Sequence, residues 1–82
     1  MDFRKARTRT LIQLGGLIEK AGLLRMLGLE TGDDLQKDAE CFEGASILMG
    51  SFVEICQMLE GSEASAHKAL WSERGKEMLR KQ

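Results

Sequence analysis

Eighty-two residues carry 12 basic and 13 acidic side chains, for a formal net charge of −1. That length holds one small domain, residues 1–82, which buries only about 60% of its unfolded surface; it excludes a motor ATPase or a multi-domain enzyme and makes association between chains an expectation. The near-zero sum hides an order, because residues 1–28 carry six Lys/Arg and two Asp/Glu, residues 29–66 carry one and nine, and residues 67–82 carry five and two.

Twenty-six residues are Val, Ile, Leu, Met, Phe or Trp, with Leu and Met dominant and no Pro or Tyr. Unbranched side chains lose little rotamer freedom in a helix, so the composition predicts an all-α chain in which only glycine interrupts helices. The first predicted helix runs from about Phe3 to Ala21, where Leu11, Leu14, Ile18 and Ala21 form an apolar stripe widened by Leu17 and Leu24. Gly22 suits the position just past its end, and Leu23–Leu27 is long enough for a further short helical turn. Gly15–Gly16 lies inside that helix, where each glycine costs about 1 kcal/mol relative to alanine. Close approach of a second helix is the preferred reason for the pair, and a kink is the alternative.

The middle helix is predicted from Asp33 to about Glu60, about 40 Å long, with Thr31 or Asp33 as its cap. Leu35, Phe42, Met49 and Cys56 recur every seven residues, interleaved with Asp38, Ala45, Phe52 and Leu59. The result is a core or oligomer seam of Leu35, Phe42, Ala45, Met49, Phe52, Cys56 and Leu59, which only Asp38 spoils. Gly61-Ser62 ends that helix, and Ser62 is the expected cap of a shorter third helix with a broken stripe of Ala64, His67, Trp71 and Met78. The predicted architecture is therefore a helical hairpin plus a shorter C-terminal helix, completed by dimerisation.

Several chemistries lack their residues. One histidine, His67, faces Trp71 one turn away, a packing arrangement more than a catalytic one. Cys41 and Cys56 sit among apolar and acidic neighbours, which do not activate a thiolate. No zinc ligand set or phosphate loop is present, since Gly15–Lys20 lacks the Gly-Lys-[Ser/Thr] ending. No enzyme activity, metal or cofactor is expected. On one helix the two cysteines would lie about 22 Å apart, too far for a disulfide, which favours a reduced, cytoplasmic setting. Met1–Thr10 is charged, no signal sequence follows, and Gln13, Glu19, Lys20 and Arg25 break the apolar stretches, so no membrane segment is expected.

Arg4, Lys5, Arg7 and Arg9 place four cations within six residues, a basic N-terminal arm at about residues 1–10 suited to a polyanion. Lys68, Arg74, Lys76, Arg80 and Lys81 would extend such a surface if the third helix lay near the first. Composition alone weighs nucleic-acid binding evenly against a terminus that is merely solubilised or that pairs with the acidic segment of a partner chain. Aromatic residues are too few for a single-strand stacking platform.

The stretch from Arg4 to Leu23, a basic run entering Ile12-Gln13-Leu14-Gly15-Gly16-Leu17-Ile18-Glu19-Lys20-Ala21-Gly22-Leu23, resembles the opening of the small conjugal transfer protein TraD family. The apolar Ala45–Leu59 and the segment Trp71–Gly75 resemble its later parts more loosely. The resemblance is to the short proteins of Ti-type plasmids and not to the large coupling ATPase of the same name, whose nucleotide motif is absent here. It implies a non-enzymatic accessory of conjugative DNA transfer, with Arg4, Lys5, Arg7, Arg9 and Lys20 as candidate nucleic-acid contacts. The alternative it leaves is a helical adaptor or oligomerising module that binds relaxosome or other transfer proteins without touching DNA.

Overall fold

The computed structural model describes residues 2–81. Four α-helices follow in chain order: α1 (Phe3–Lys20), α2 (Leu23–Met26), α3 (Phe42–Glu60) and α4 (Ala64–Arg80), with a 3₁₀ turn at Ala39–Cys41. The described residues contain no strand, so the all-α class read from composition is the class adopted. They divide after Leu48 into two compact units.

In the first unit, Asp2 starts α1: its carboxylate accepts from the amide of Arg4 at 2.9 Å. That bond satisfies one of the orphan donors of the first turn. The helix ends where expected, because Gly22 takes φ +86°, a left-handed conformation that side chains resist, and its amide donates to the Glu19 carbonyl at 3.0 Å. The short α2 closes the same way. Gly28 at φ +70° sends its amide to the Arg25 carbonyl and Leu29 sends its own to Leu24, the paired bonds that seal a helix C-terminus. Leu29 is thereby folded inward and is 3% exposed.

The start of α3 rests on that turn. A Cβ on Gly44 would lie 2.6 Å from the Leu27 carbonyl oxygen and 3.0 Å from the Leu29 side chain, so only glycine permits the approach. Gly15 and Gly16 behave in the opposite way. A Cβ on either would meet nothing within 4 Å, and α1 runs unbroken through both. The close helix approach expected at the pair is therefore not made within this chain; it is made at Gly44.

The middle helix begins nine residues later than expected, at Phe42 rather than Asp33. The cause is aspartate chemistry. Asp34 Oδ1 accepts from the amides of Gln36 and Lys37, Asp33 Oδ2 from Glu30, and Asp38 Oδ2 from Asp34. These local bonds offer the backbone an alternative to helix. Thr31 is no cap either, since its hydroxyl donates to Glu19 Oε2 at 2.9 Å. The seam therefore loses Leu35, which sits in the loop 42% exposed, and keeps Phe42, Ala45, Met49, Phe52, Cys56 and Leu59 on α3.

In the second unit, α4 is capped by Glu63 and not by Ser62, and no side chain bonds to its first amides. Gly61 accepts instead from the amide of Ala64 at 3.3 Å, and this tight turn takes Ser62 out of the cap position. The expected His67–Trp71 pairing is present, with ring centroids 5.3 Å apart and planes 18° from parallel.

One segment bears on the expectation about membranes. Residues Ala39–Glu60 form a helical stretch long and apolar enough to cross a bilayer by length and composition, with mean hydropathy 1.2 over 18 residues. The breaks at Gln13, Glu19, Lys20 and Arg25 interrupt the first helix only and do not touch this segment.

Candidate nucleic-acid interface

Helix begins at Phe3, as expected, so Arg4, Lys5, Arg7 and Arg9 of the basic run fall in the first two turns of α1. Helical geometry then sorts them. Arg4, Lys5, Thr8, Arg9, Ile12 and Gln13 border one shallow, open stretch of the α1 surface, the outcome of side chains spaced by one, four, five, eight and nine residues. Arg7 lies across the helix from this stretch, on the side of Phe3, Leu11 and Leu14. Lys20 lies three turns further on and borders a separate hollow with Glu19, Arg25 and Thr31. Three of the five predicted contacts are thus brought together and two are not.

These cations are free to meet an external anion. All five are exposed, and the one ion pair among the described residues, Lys81 with Glu77 at 3.7 Å, lies on the far terminus. Their placement also works against the helix that holds them. Arg4 and Lys5 occupy the second and third positions of α1, whose first turn holds no acidic residue. The N-terminus of a helix carries about half a positive charge, so each cation there is unfavourable by roughly 0.3–1 kcal/mol. Asp2 already sets one carboxylate at that helix end, so a bound phosphate would answer the side chains.

Sequence reading missed a second cluster. Asp33, Asp38 and Cys41 bring two carboxylate oxygens and a thiol within 4.8 Å of one another. Both carboxylates already accept from loop amides, and the thiol donates to Asp33, so the cluster closes the acidic loop on itself. Cys41 is 5% exposed. Burial pushes its thiol above the ordinary 9.0, reinforced by the hydrogen bond to Asp33 and by the charges of Asp33, Asp38 and Glu40. The signal was available in the sequence as three aspartates within six residues ahead of a cysteine, but only the loop bonds reveal the juxtaposition.

Two consequences follow for the thiols. At neutral pH iodoacetamide should label the exposed Cys56 well before Cys41, and equal rates measured by mass spectrometry would contradict the buried, protonated thiol. Because folding raises the Cys41 pKa, the folded state holds its proton more tightly. Its contribution to stability is complete below the ordinary thiol range and is lost as pH rises through the folded value, so the loss of stability between neutral and alkaline pH should be smaller in Cys41→Ala than in the parent.

Comparison with known proteins agrees with the motif at Arg4–Leu23. The family model described as conjugal transfer protein TraD matches residues 2–81. No curated protein and no solved structure matches the chain. A family match running through the basic first turns, the Gly15–Gly16 helix and both later helices leaves one conclusion: the chain belongs to the conjugal transfer protein TraD family and takes part in conjugative transfer.

Proposed function

We propose that this protein is a non-enzymatic, cytoplasmic accessory of conjugative transfer that grips the DNA backbone through α1. The observation that carries the reading is the set of exposed cations Arg4, Lys5 and Arg9, which share one side of α1 with Thr8 and Gln13 and have no ion-pair partner among the described residues. Thr8 and Gln13 add hydrogen-bonding groups that reach phosphate oxygens without reading bases, so the contact positions the protein on DNA with little sequence preference. Arg7 and Lys20 contribute to the local potential and not to the grip. The exposed Lys68, Arg74, Lys76 and Arg80 of α4 supply a second, weaker basic surface.

A duplex-binding titration tests it. Arg4→Glu, Lys5→Glu and Arg9→Glu together should abolish binding at low salt while the circular dichroism spectrum stays helical. Absence of binding by the unaltered, folded chain at low salt overturns the reading. Retention of the unaltered chain on other transfer proteins would then favour the adaptor role.

A further inference from the structure

The two faces of the Trp71 ring on α4 have unequal surroundings. His67, one turn toward the N-terminus, covers the first, with ring centroids 5.3 Å apart and planes 18° from parallel. The second face looks toward the next turn, where the residue four further on is Gly75. A helical side chain leans back over the turn before it, so a larger residue at 75 would lie against Trp71. Gly75 puts nothing there, and a Cβ added to it would meet no atom within 4 Å. Glycine weakens a helix interior, and no packing within the chain calls for it at this position. Its effect is to leave one aromatic face open.

Charge is sorted around the same ring. At about 100° per residue, Lys68 and Arg74 fall about 60° to either side of Trp71, one turn before it and one turn after. Both are exposed, and neither has an ion-pair partner among the described residues. Glu73 and Glu77 fall on the far side of α4, together with Lys76 and Arg80. An open aromatic face between two free cations fits a flat ring that carries an anion on each side, which is a nucleobase between its phosphates. Inside a duplex both faces of a base are taken by its neighbours, so the base must be unpaired. One ring is too little for a run of stacked bases and enough for a single one.

We propose that α4 binds single-stranded DNA by stacking one unpaired base on the open face of Trp71, while Lys68 and Arg74 pair with the flanking phosphates. This contact is separate from the duplex grip of α1 and does not rest on it.

Trp71 is the sole tryptophan, so its fluorescence reads the contact directly. At low salt a thymidine strand of about ten nucleotides should quench the full chain. An abasic strand of equal length and charge should not, nor should a blunt duplex. Trp71→Ala should weaken binding of a fluorescein-labelled strand, followed by anisotropy, about 5–150-fold. Should that variant fail to fold, Gly75→Leu still decides, because leucine favours helix over glycine and covers the ring, so quenching should vanish. Quenching should survive Arg4→Glu, Lys5→Glu and Arg9→Glu together, the variant that removes duplex binding; its loss there overturns α4 as a site of its own. No quenching by the thymidine strand, or equal quenching by the abasic one, also overturns the proposal. So does unchanged affinity in a helical Trp71→Ala.

Discussion

Duplex DNA binding should weaken about 40-fold when salt is raised from about 50 to about 200 mM, with a log–log slope near −2.7. The figure follows from three phosphates neutralised by Arg4, Lys5 and Arg9, at about 0.9 per contact. Alanine at any one of the three should lower the slope by about 0.9. Arg7→Ala should leave it unchanged, although Arg7 is equally exposed and lies between the other cations in sequence. This contrast separates a grip along one side of α1 from general attraction to a basic terminus, in which all four positions count alike. An equal loss of slope at Arg7 would sink that side of α1 as the contact surface. The same substitutions carry a second readout of opposite sign. Replacing Arg4 and Lys5 by glutamate turns unfavourable charges at the positive end of α1 into favourable ones, worth roughly 1–4 kcal/mol together. Amide exchange in the first turns of α1 should slow as binding disappears, so loss of affinity cannot be put down to a melted helix.

Gly44→Ala should destabilise the fold by about 1–3 kcal/mol, the usual range for forcing a methyl group into a packed contact. The new Cβ meets the Leu27 carbonyl oxygen, which is backbone and cannot rotate away, at 2.6 Å. Relief requires α3 to back off the turn that buries Leu29. For a chain of this size each kcal/mol moves the thermal midpoint by about 4–8 °C. Gly15→Ala or Gly16→Ala should do the reverse and add up to about 1 kcal/mol, since both positions are helical and open. Urea unfolding of the three variants checks the ordering. A neutral Gly44→Ala would mean that α3 does not press on the Leu27–Leu29 turn.

The pattern of hits and misses has a physical logic. Gly22 was legible because helix termination is local: an apolar stripe ends, and a residue free to turn left-handed follows. The His67–Trp71 stack was legible for the same reason, as residues four apart on a helix always meet. The start of α3 was not legible from apolar spacing. Leu35 fits the heptad as well as Met49 does, yet three aspartates hold residues 30–38 in turns through bonds to their own amides. Asp2 was overlooked as a cap because the basic run beside it dominates the reading, although Asp is among the best residues for that position.

By itself the sequence determined the helical class, the places of α1 and α4 and the body and end of α3, the end of α1 at Gly22, and the separation of basic ends from an acidic middle. These depend on propensity, period and composition, which act over a few residues. The tertiary structure alone decided which glycine is a packing device, since Gly44 and Gly15 differ only in what comes near them. It also decided that Asp33, Asp38 and Cys41 meet. Helix from Phe3 was legible in the sequence, and its rotation of about 100° per residue sets Arg4, Lys5 and Arg9 on one side of α1 and turns Arg7 away. Composition counts charges; the helix gives them a direction.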